Sequence, residues 1–432
     1  MTPQSEFLVL ARVRPDALAD LRALLATMNG APGQADPANA LMPFGAFPAL
    51  HLARFVVLDD QTLADNAVFG VPPFDAAIYL AFLGDCDGPA EPLLDEMARA
   101  ASSGLSRIFS HCEGFAPETD GGAGLAAWMA AHRVSPAAYY VNTVGRTVAQ
   151  IRDEAALHAA LAAELPRACA EGVTSPGELQ TRLREAVARN GPKVRPEAPT
   201  PLRWLLGHLG SLVLGVLILA VAAPLLLLAS PILLWVLRRH ETRDPEIFIP
   251  PDPARVARIS AMEDHDVTNP FSAIGTIKPG RFRFALVSAA LWLLDFGCRQ
   301  IYTKGRLARV GTIHFARWVV IENGRRVIFI SNYDGSLEAY MDDFINKVAF
   351  GLNLVFSNGV GYPTTNWLLA DGAQREQQFK AFLRRREQPT DVWYKAYPGL
   401  TNFDIARNSE IRKGLESDAM SDADLRAWLA KI

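Results

Sequence analysis

The stretch HLARFVVL at residues 51–58 returns as HFARWVVI at residues 314–321. Both copies are rich in β-branched and aromatic residues, a composition that predicts a strand in each. Between the two copies, the run from Trp204 to Leu237 contains no Asp, Glu, Lys or Arg. We therefore predict a duplicated fold that is interrupted by a membrane-associated segment.

Hydrophobic periodicity predicts the same order of elements in each half. The first half carries predicted strands at 7–13, 51–60 and 76–85, predicted helices at 15–28 and 92–108, and a last strand near Phe109–Phe115. The second half carries a strand at 273–278, helices at 281–303 and 337–355, and two strands that meet at the turn Glu322–Asn323–Gly324. This order is the ferredoxin-like βαββαβ plan. The predicted fold class is therefore α+β, with two tandem ferredoxin-like units.

The repeat extends into a segment that we predict to be an appended helix, because residues 148–165 parallel residues 372–387. The predicted domains are a first repeat at 1–166, a linker at 167–203, a membrane anchor at 204–237, a linker at 238–270, a second repeat at 271–415 and a C-terminal helix at 416–432. The first linker is rich in Arg, Pro and Gly, and the second contains Pro250–Pro251 and Pro253.

The apolar run exceeds the roughly 20 residues that cross a bilayer once and falls short of the roughly 40 that cross it twice. Pro224 and Pro231 favour a bend near Ala222–Pro224, which would make a hairpin within one leaflet. Basic residues flank both ends, and two halves that pack together must share one side of the membrane. We expect a hairpin, with one tilted helix and a buried hairpin of a soluble core as alternatives, and both globular halves on the cytoplasmic side.

Composition argues against several function classes. The formal net charge of −3 and the absence of a basic stripe with interleaved aromatics argue against nucleic-acid binding. The four cysteines have no CxxC spacing and the first residues do not resemble a signal peptide, which favours a reducing, cytoplasmic setting. HExxH, P-loop, GxSxG and GxGxxG motifs are absent from the sequence, which disfavours the enzyme classes that depend on them.

The element order over most of the chain resembles the dimeric α+β barrel superfamily, in which two ferredoxin-like units pack their sheets face to face. Dye-decolorizing peroxidases and chlorite dismutase-like proteins, which bind haem, belong to it, as do cofactor-free monooxygenases and non-catalytic modules. The resemblance implies a pseudo-dimeric barrel within this one chain. The cofactor that it implies is haem.

His314 and Arg317 are the candidate catalytic residues of the second repeat, and His51 and Arg54 are their counterparts in the first. Alternation along a strand places the histidine and the arginine of each pair on opposite faces unless a bulge intervenes. A core-facing histidine can bind haem, move a proton or make one structural hydrogen bond. The predicted cofactor-binding residues are His314, His51 and Arg54, and no metal-ligand residue is assigned.

Asp334 is the third candidate catalytic residue. Dye-decolorizing peroxidases carry a Gly-x-x-Asp-Gly motif beside the haem, and Asp334–Gly335 match its end, although Ser331 replaces the first Gly and no histidine follows. The pair is also an ordinary turn in which Asp334 or Ser336 caps the next helix. A loop at 263–269 could hold a divalent cation or be a solvated loop.

The leading functional prediction is a membrane-associated oxidoreductase-like protein that acts on a lipid or other apolar compound, with haem as the implied cofactor. The alternatives are a non-catalytic lipid-binding or scaffold protein and a cofactor-free monooxygenase-like enzyme. The expected partners are the lipid bilayer and a small lipophilic ligand, without nucleic acid. A homo-oligomer is compatible with the same features.

Overall fold

A computed structural model describes residues 1–116 and 122–432 and has a mixed α+β fold. Its two main sheets are both four-stranded and antiparallel. The strands are β1 (Gln4–Arg12), β2 (Leu50–Leu58), β3 (Tyr79–Asp87), β4 (Ala138–Val141), β5 (Thr268–Thr276), β6 (Ile313–Ile321), β7 (Arg326–Asp334) and β8 (Thr390–Lys395). The two copies of the repeated stretch are β2 and β6, so both strand predictions are confirmed.

The two halves exchange their last strands. The first sheet has the order β1-β3-β2-β8, and the second has the order β4-β6-β7-β5. Strand β8, from the second half, pairs with β2, while β4, from the first half, pairs with β6. The strand predicted at Phe109–Phe115 was wrong, since a helix ends at Phe109 and β4 follows much later. The exchange joins the halves through backbone hydrogen bonds.

The helices of eight or more residues include several that pack against the sheets and others that lie beyond them. They are α1 (Leu18–Ala26), α2 (Ala90–Ala100), α3 (Ser102–Phe109), α4 (Ala123–Ala131), α5 (Val148–Ala170), α6 (Pro176–Asn190), α7 (Leu202–Glu241), α8 (Pro253–Ser260), α9 (Arg281–Gln300), α10 (Leu337–Phe356), α11 (Glu376–Arg386), α12 (Asn402–Glu416) and α13 (Asp422–Leu429). Ser336 caps α10 by accepting a hydrogen bond from the amide of Ala339, which confirms the capping interpretation for that residue.

The predicted correspondence between residues 148–165 and 372–387 was wrong. Helix α5 follows the exchanged strand β4, and its counterpart after β8 is α12. Both helices begin after a Gly-x-Thr sequence, at Gly145 and Gly399, and each of these glycines has a positive φ. The two helices pack against each other. Helix α11 instead precedes β8, inside the second half.

The inner faces of the sheets form one apolar cluster. Leu8, Val56 and Leu83 of the first sheet belong to the same cluster as Ile274, Val319 and Ile330 of the second. Two larger clusters lie on the opposite faces, beneath the helices. The chain therefore stacks helices, sheet, sheet and helices, and the space between the sheets is filled by side chains.

The apolar run forms one continuous helix, α7, with Pro224 and Pro231 inside it, so the expected hairpin does not form. Among the described residues, this helix alone is long and apolar enough to cross a membrane, and 6% of its most apolar window is buried. Both of its ends contact the folded body. Near its start, the amide of Gln300 donates to Ser211 Oγ (2.9 Å), and at its end the ring of His240 stacks on Phe282.

Candidate functional site

Each histidine of the repeat lies at a β-bulge. Opposite β3, the register shifts between Leu50 and Leu52, so His51 is the additional residue. Opposite β7, the register shifts between Ile313 and Phe315, so His314 is the additional residue. A bulge bends a strand locally and redirects the side chain at that point. The repeat is therefore preserved in backbone geometry as well as in sequence.

Both histidines are paired with an aspartate at the end of the neighbouring strand. His51 Nε2 lies 2.9 Å from Asp87 Oδ1, and His314 Nε2 lies 2.6 Å from Asp334 Oδ1. The structure thus brings together the predicted residues His314 and Asp334. Asp87, which was not predicted from the sequence, stands at the matching end of β3.

The second oxygen of each aspartate holds the start of a helix. Asp87 Oδ2 accepts a hydrogen bond from the amide of Val148 (3.0 Å), and Asp334 Oδ2 accepts one from the amide of Asn402 (2.7 Å). Helix N-termini favour negative charge. Burial raises the pKa of Asp334, but His314 and the hydrogen bonds to its carboxylate outweigh burial and leave the pKa below its ordinary value.

A small cavity lies between the two histidines. It has a volume of about 20 Å³ and is lined by both rings, Tyr397 and Asn402, among others. The Tyr397 hydroxyl lies 3.2 Å from His51 Nδ1. In the neutral tautomer that donates from Nε2 to Asp87, Nδ1 accepts a hydrogen bond from the hydroxyl of Tyr397. Such a volume has room for about one water molecule.

The cavity does not fit haem. His51 and His314 are 1% and 2% exposed. Of their four ring nitrogens, only Nδ1 of His314 has no hydrogen-bond partner among the described residues. Pockets for cofactor-sized molecules measure roughly 300–1,000 Å³, far above the volume found here. The predicted ligation of haem by these histidines is therefore incompatible with the closed arrangement.

Arg317 lies between the sheets, away from the cavity. Its guanidinium donates to the carbonyl oxygens of Phe7 (2.9 Å) and Gly84 (3.2 Å) in the opposite sheet and is paired with the carboxylates of Asp85 and Glu6. Burial lowers the pKa of Arg317, but the two carboxylates outweigh burial and raise it above its ordinary value. This predicted catalytic residue joins the two sheets.

Arg54, which belongs to the first sheet, makes the corresponding contacts with the second sheet. It donates to the carbonyl oxygens of Phe271 and Ser331 and to the hydroxyl of Ser272, each at 3.0 Å. No carboxylate among the described residues pairs with it. Burial, together with the charge of Arg317, lowers its pKa to about 9, so the guanidinium remains protonated at neutral pH.

The acidic loop at 263–269 is occupied by internal contacts. Glu263 pairs with Arg384, Asp266 pairs with Lys395, and Asn269 donates to Asp264 Oδ1 (2.7 Å). Within residues 1–116 and 122–432, no group of three or more His, Cys, Asp or Glu side chains is arranged to hold a metal ion. The loop therefore belongs to the folded framework.

A second cavity, a groove of about 700 Å³, lies at the end of β5 that is remote from the histidines, and no sequence motif indicated it. Its walls are the loop Val71–Phe74, the first turns of α9 and the β6–β7 turn. Phe74 and Phe284 contribute aromatic surface, and Arg281 and Arg325 contribute positive charge at the rim. Its volume is typical of a site for a small organic molecule.

Comparison with known proteins finds no match, since no protein family, curated protein or solved structure resembles the chain significantly.

Proposed function

We propose that the protein is attached to a membrane surface and binds a lipid or another amphipathic apolar molecule in the groove beside α9. The observation that carries this proposal is the groove itself, which adjoins an exposed apolar helix. Phe284 of the groove wall is two residues from Phe282, on which His240 of α7 stacks. A ligand could therefore pass between the bilayer at the end of α7 and the groove, past the basic side chains Arg281 and Arg325 at its rim.

The contacts of α7 favour a helix that lies along the membrane surface. Gly215 lies directly against the ring of Phe296, and His240 lies against Phe282, so two distant points of α7 contact the same helix, α9. Those points on α7 are separated by about 37 Å at 1.5 Å per residue. A helix that crossed the bilayer would carry one of them away from the body. This supports a monotopic arrangement with both halves on the cytoplasmic side, where the basic flanks belong.

The outer face of α9 extends the apolar surface. Phe284 and Leu293 are 45% and 44% exposed, and the residues between them carry no charge. A soluble monomer rarely exposes a continuous apolar surface of this extent. Together with α7, it supports contact with lipid.

The arrangement of strands supports the pseudo-dimeric barrel as the fold. Two sheets built from equivalent strands face each other, and each half contributes its last strand to the sheet of the other half. Equivalent residues also make equivalent contacts, as Arg54 and Arg317 do. The ferredoxin-like assignment and its superfamily stay proposals.

The oxidoreductase alternatives have a weaker basis. The His314–Asp334 pair could move a proton, but the adjoining cavity has room for about one water molecule and not for an organic substrate. Cofactor-free oxidation would require a substrate to reach Nδ1 of His314. We therefore favour binding over catalysis.

The test is a groove-filling substitution with a matched control on the same helix. Ala285→Trp places an indole in the groove, whereas Ala289→Trp places it one turn further along the exposed face of α9. Lipids that copurify with each protein in mild detergent are measured by mass spectrometry. We expect one lipid class to be depleted in Ala285→Trp and retained in Ala289→Trp. Equal lipid content in both variants would contradict the proposed site.

A further inference from the structure

A short hairpin is fixed to the C-terminal end of α7. Residues Thr365–Asn366 pair with Ala370–Asp371, and the tip is Trp367–Leu368–Leu369. Trp367 and Leu368 have φ angles of 56° and 59°, a left-handed conformation that is unfavourable for bulky side chains. Two such residues in succession require support from the surrounding structure.

Glu241 provides that support. This last residue of α7 is 5% exposed, and its carboxylate accepts hydrogen bonds from the amides of Trp367 and Leu368, each at 2.9 Å, and from the hydroxyl of Thr365 at 2.8 Å. Hydrogen bonds to an ionised carboxylate are stronger than those between neutral groups. The hairpin therefore keeps a defined position relative to the apolar helix.

The support leaves apolar side chains exposed at the tip. Trp367 is 43% exposed and Leu369 is 65% exposed. Leu368, between them, is buried against the body. The backbone of the tip is unfavourable, and the buried carboxylate of Glu241 holds it in a conformation that exposes a tryptophan and a leucine. This indicates that the exposed surface of the tip has a role.

Tryptophan and arginine also meet at the end of α7. The guanidinium of Arg238 lies 5.7 Å from the ring of Trp367, and that of Arg239 lies 5.3 Å from the ring of Trp235. Tryptophan is enriched at the level of lipid headgroups, and basic side chains there bind anionic lipids. Arg238 is also paired with Glu241 (3.2 Å), so Arg239, which has no carboxylate partner among the described residues, is the side chain best placed to meet an anionic headgroup beside this aromatic surface.

We propose that the tip Trp367–Leu369 is a second membrane contact, which inserts at headgroup depth and sets the orientation of the body on an anionic bilayer. This inference rests on the proposed membrane attachment through α7. The occupant of the exposed tip is the lipid surface, because the tip is continuous with α7 and is flanked by Arg238 and Arg239. With α7 and the tip both in contact, rotation of the body about the axis of α7 is prevented.

The test is a depth measurement with a fluorescent label on a single cysteine. Cys169 is exposed, whereas Cys86, Cys112 and Cys298 are buried. Burial raises the pKa of Cys86 and of Cys112 to about 12, and it raises that of Cys298 as well, so these thiols remain protonated and unreactive near neutral pH.

Three full-length proteins are labelled with an environment-sensitive dye. The native chain reports Cys169 on α5, Cys169→Ser with Leu369→Cys reports the tip, and Cys169→Ser with Val221→Cys reports the middle of α7. Each is reconstituted into vesicles of phosphatidylcholine and phosphatidylglycerol that carry a quencher either near the headgroup or near the chain end. We expect the tip label and the α7 label to lose fluorescence, the tip label more with the shallow quencher than with the deep one, and the Cys169 label to lose none.

The outcomes separate the two proposals. Quenching at position 221 without quenching at position 369 would overturn the second contact and leave the attachment through α7. Absence of quenching at both positions would overturn the membrane attachment itself. Quenching of position 369 by the deep quencher alone would also overturn the inference, since the tip would then lie in the hydrocarbon core.

Discussion

Replacing Arg317 with methionine should destabilise the fold far more than the same change at Arg54. Methionine keeps the length and apolar character of the arginine stem and removes the charged head. At position 317 the change leaves the carboxylates of Asp85 and Glu6 buried between the sheets without their cation. Breaking a buried ion pair from one side costs about 3–5 kcal/mol.

The control variant removes an arginine of the same burial that has no carboxylate partner. Arg54→Met leaves two carbonyl oxygens and one hydroxyl without a donor. It also removes a buried cation that has no carboxylate partner, and this burial is what lowers the pKa of Arg54 to about 9. We expect a cost of about 1–3 kcal/mol, in the range for buried groups that lose a hydrogen bond.

The two variants should also differ in their dependence on pH. Burial already raises the pKa of Asp85 and of Glu6, and loss of the Arg317 charge, which lowers both, would raise them further. A carboxyl group whose folded pKa exceeds its unfolded pKa binds a proton on folding, so the stability of the variant falls as pH rises. The deficit of Arg317→Met should therefore shrink as pH falls through the raised pKa values of these carboxyl groups, and that of Arg54→Met should shrink less, because the charge of Arg54 acts on Asp85 without a salt bridge.

The assay is chemical denaturation of the detergent-purified proteins, followed by intrinsic fluorescence and by circular dichroism. Agreement of the two probes is required before a free energy of unfolding is assigned. Equal losses of stability in the two variants, or a deficit in Arg317→Met that is independent of pH, would refute the assignment of Arg317 to a buried ion-pair network between the sheets.

Three further outcomes are expected. The pKa of Asp334 lies below its ordinary value, so the charge of this carboxylate stabilises the fold at pH values above the unfolded pKa. The difference in stability between wild type and Asp334→Asn should therefore close as pH falls below about 4. Denaturation at several pH values measures this difference, and a difference that is independent of pH would contradict the prediction. Gly399→Ala should lower the free energy of unfolding by about 1–2 kcal/mol. The cost comes from backbone conformation alone, because φ is +78° and the added methyl group meets no atom within 4 Å. The same denaturation assay measures it. Addition of haem should produce no stoichiometric Soret band, because the cavity beside His314 is too small, and a band that His314→Ala abolishes would revive the haem prediction.

The sequence predicted those features that depend on neighbouring residues. The repeated strands, the hairpin turn at Glu322–Gly324 and the long helix ending at Phe356 follow from periodicity and turn chemistry, and each is present. The length of the apolar run left a hairpin and a single helix open, and one helix formed. The proximity of His314 to Asp334 was suggested only by resemblance.

The candidate site was predicted less completely because its parts come from distant segments. Asp87 and Tyr397 meet His51 only when β3 and the residues after β8 are assembled on either side of β2. The Gly-x-Thr sequences that precede α5 and α12 were a signal for the true correspondence of the appended helices. The groove has no sequence motif, since Val71–Phe74 and Arg281 adjoin only in three dimensions.

The sequence by itself thus determined which residues form strands and helices, that the chain repeats, and that α7 is apolar on all sides. Only the tertiary structure decided which strands pair and what each buried charge contacts. The physical reason is that alternation with a period of two specifies the face on which a side chain lies, but not the sheet that lies opposite. Arg54 and Arg317 share the local pattern His-x-Ala-Arg-x-Val-Val, yet among the described residues Asp85 forms a salt bridge with Arg317 and not with Arg54, a difference that follows from the packing of the two sheets.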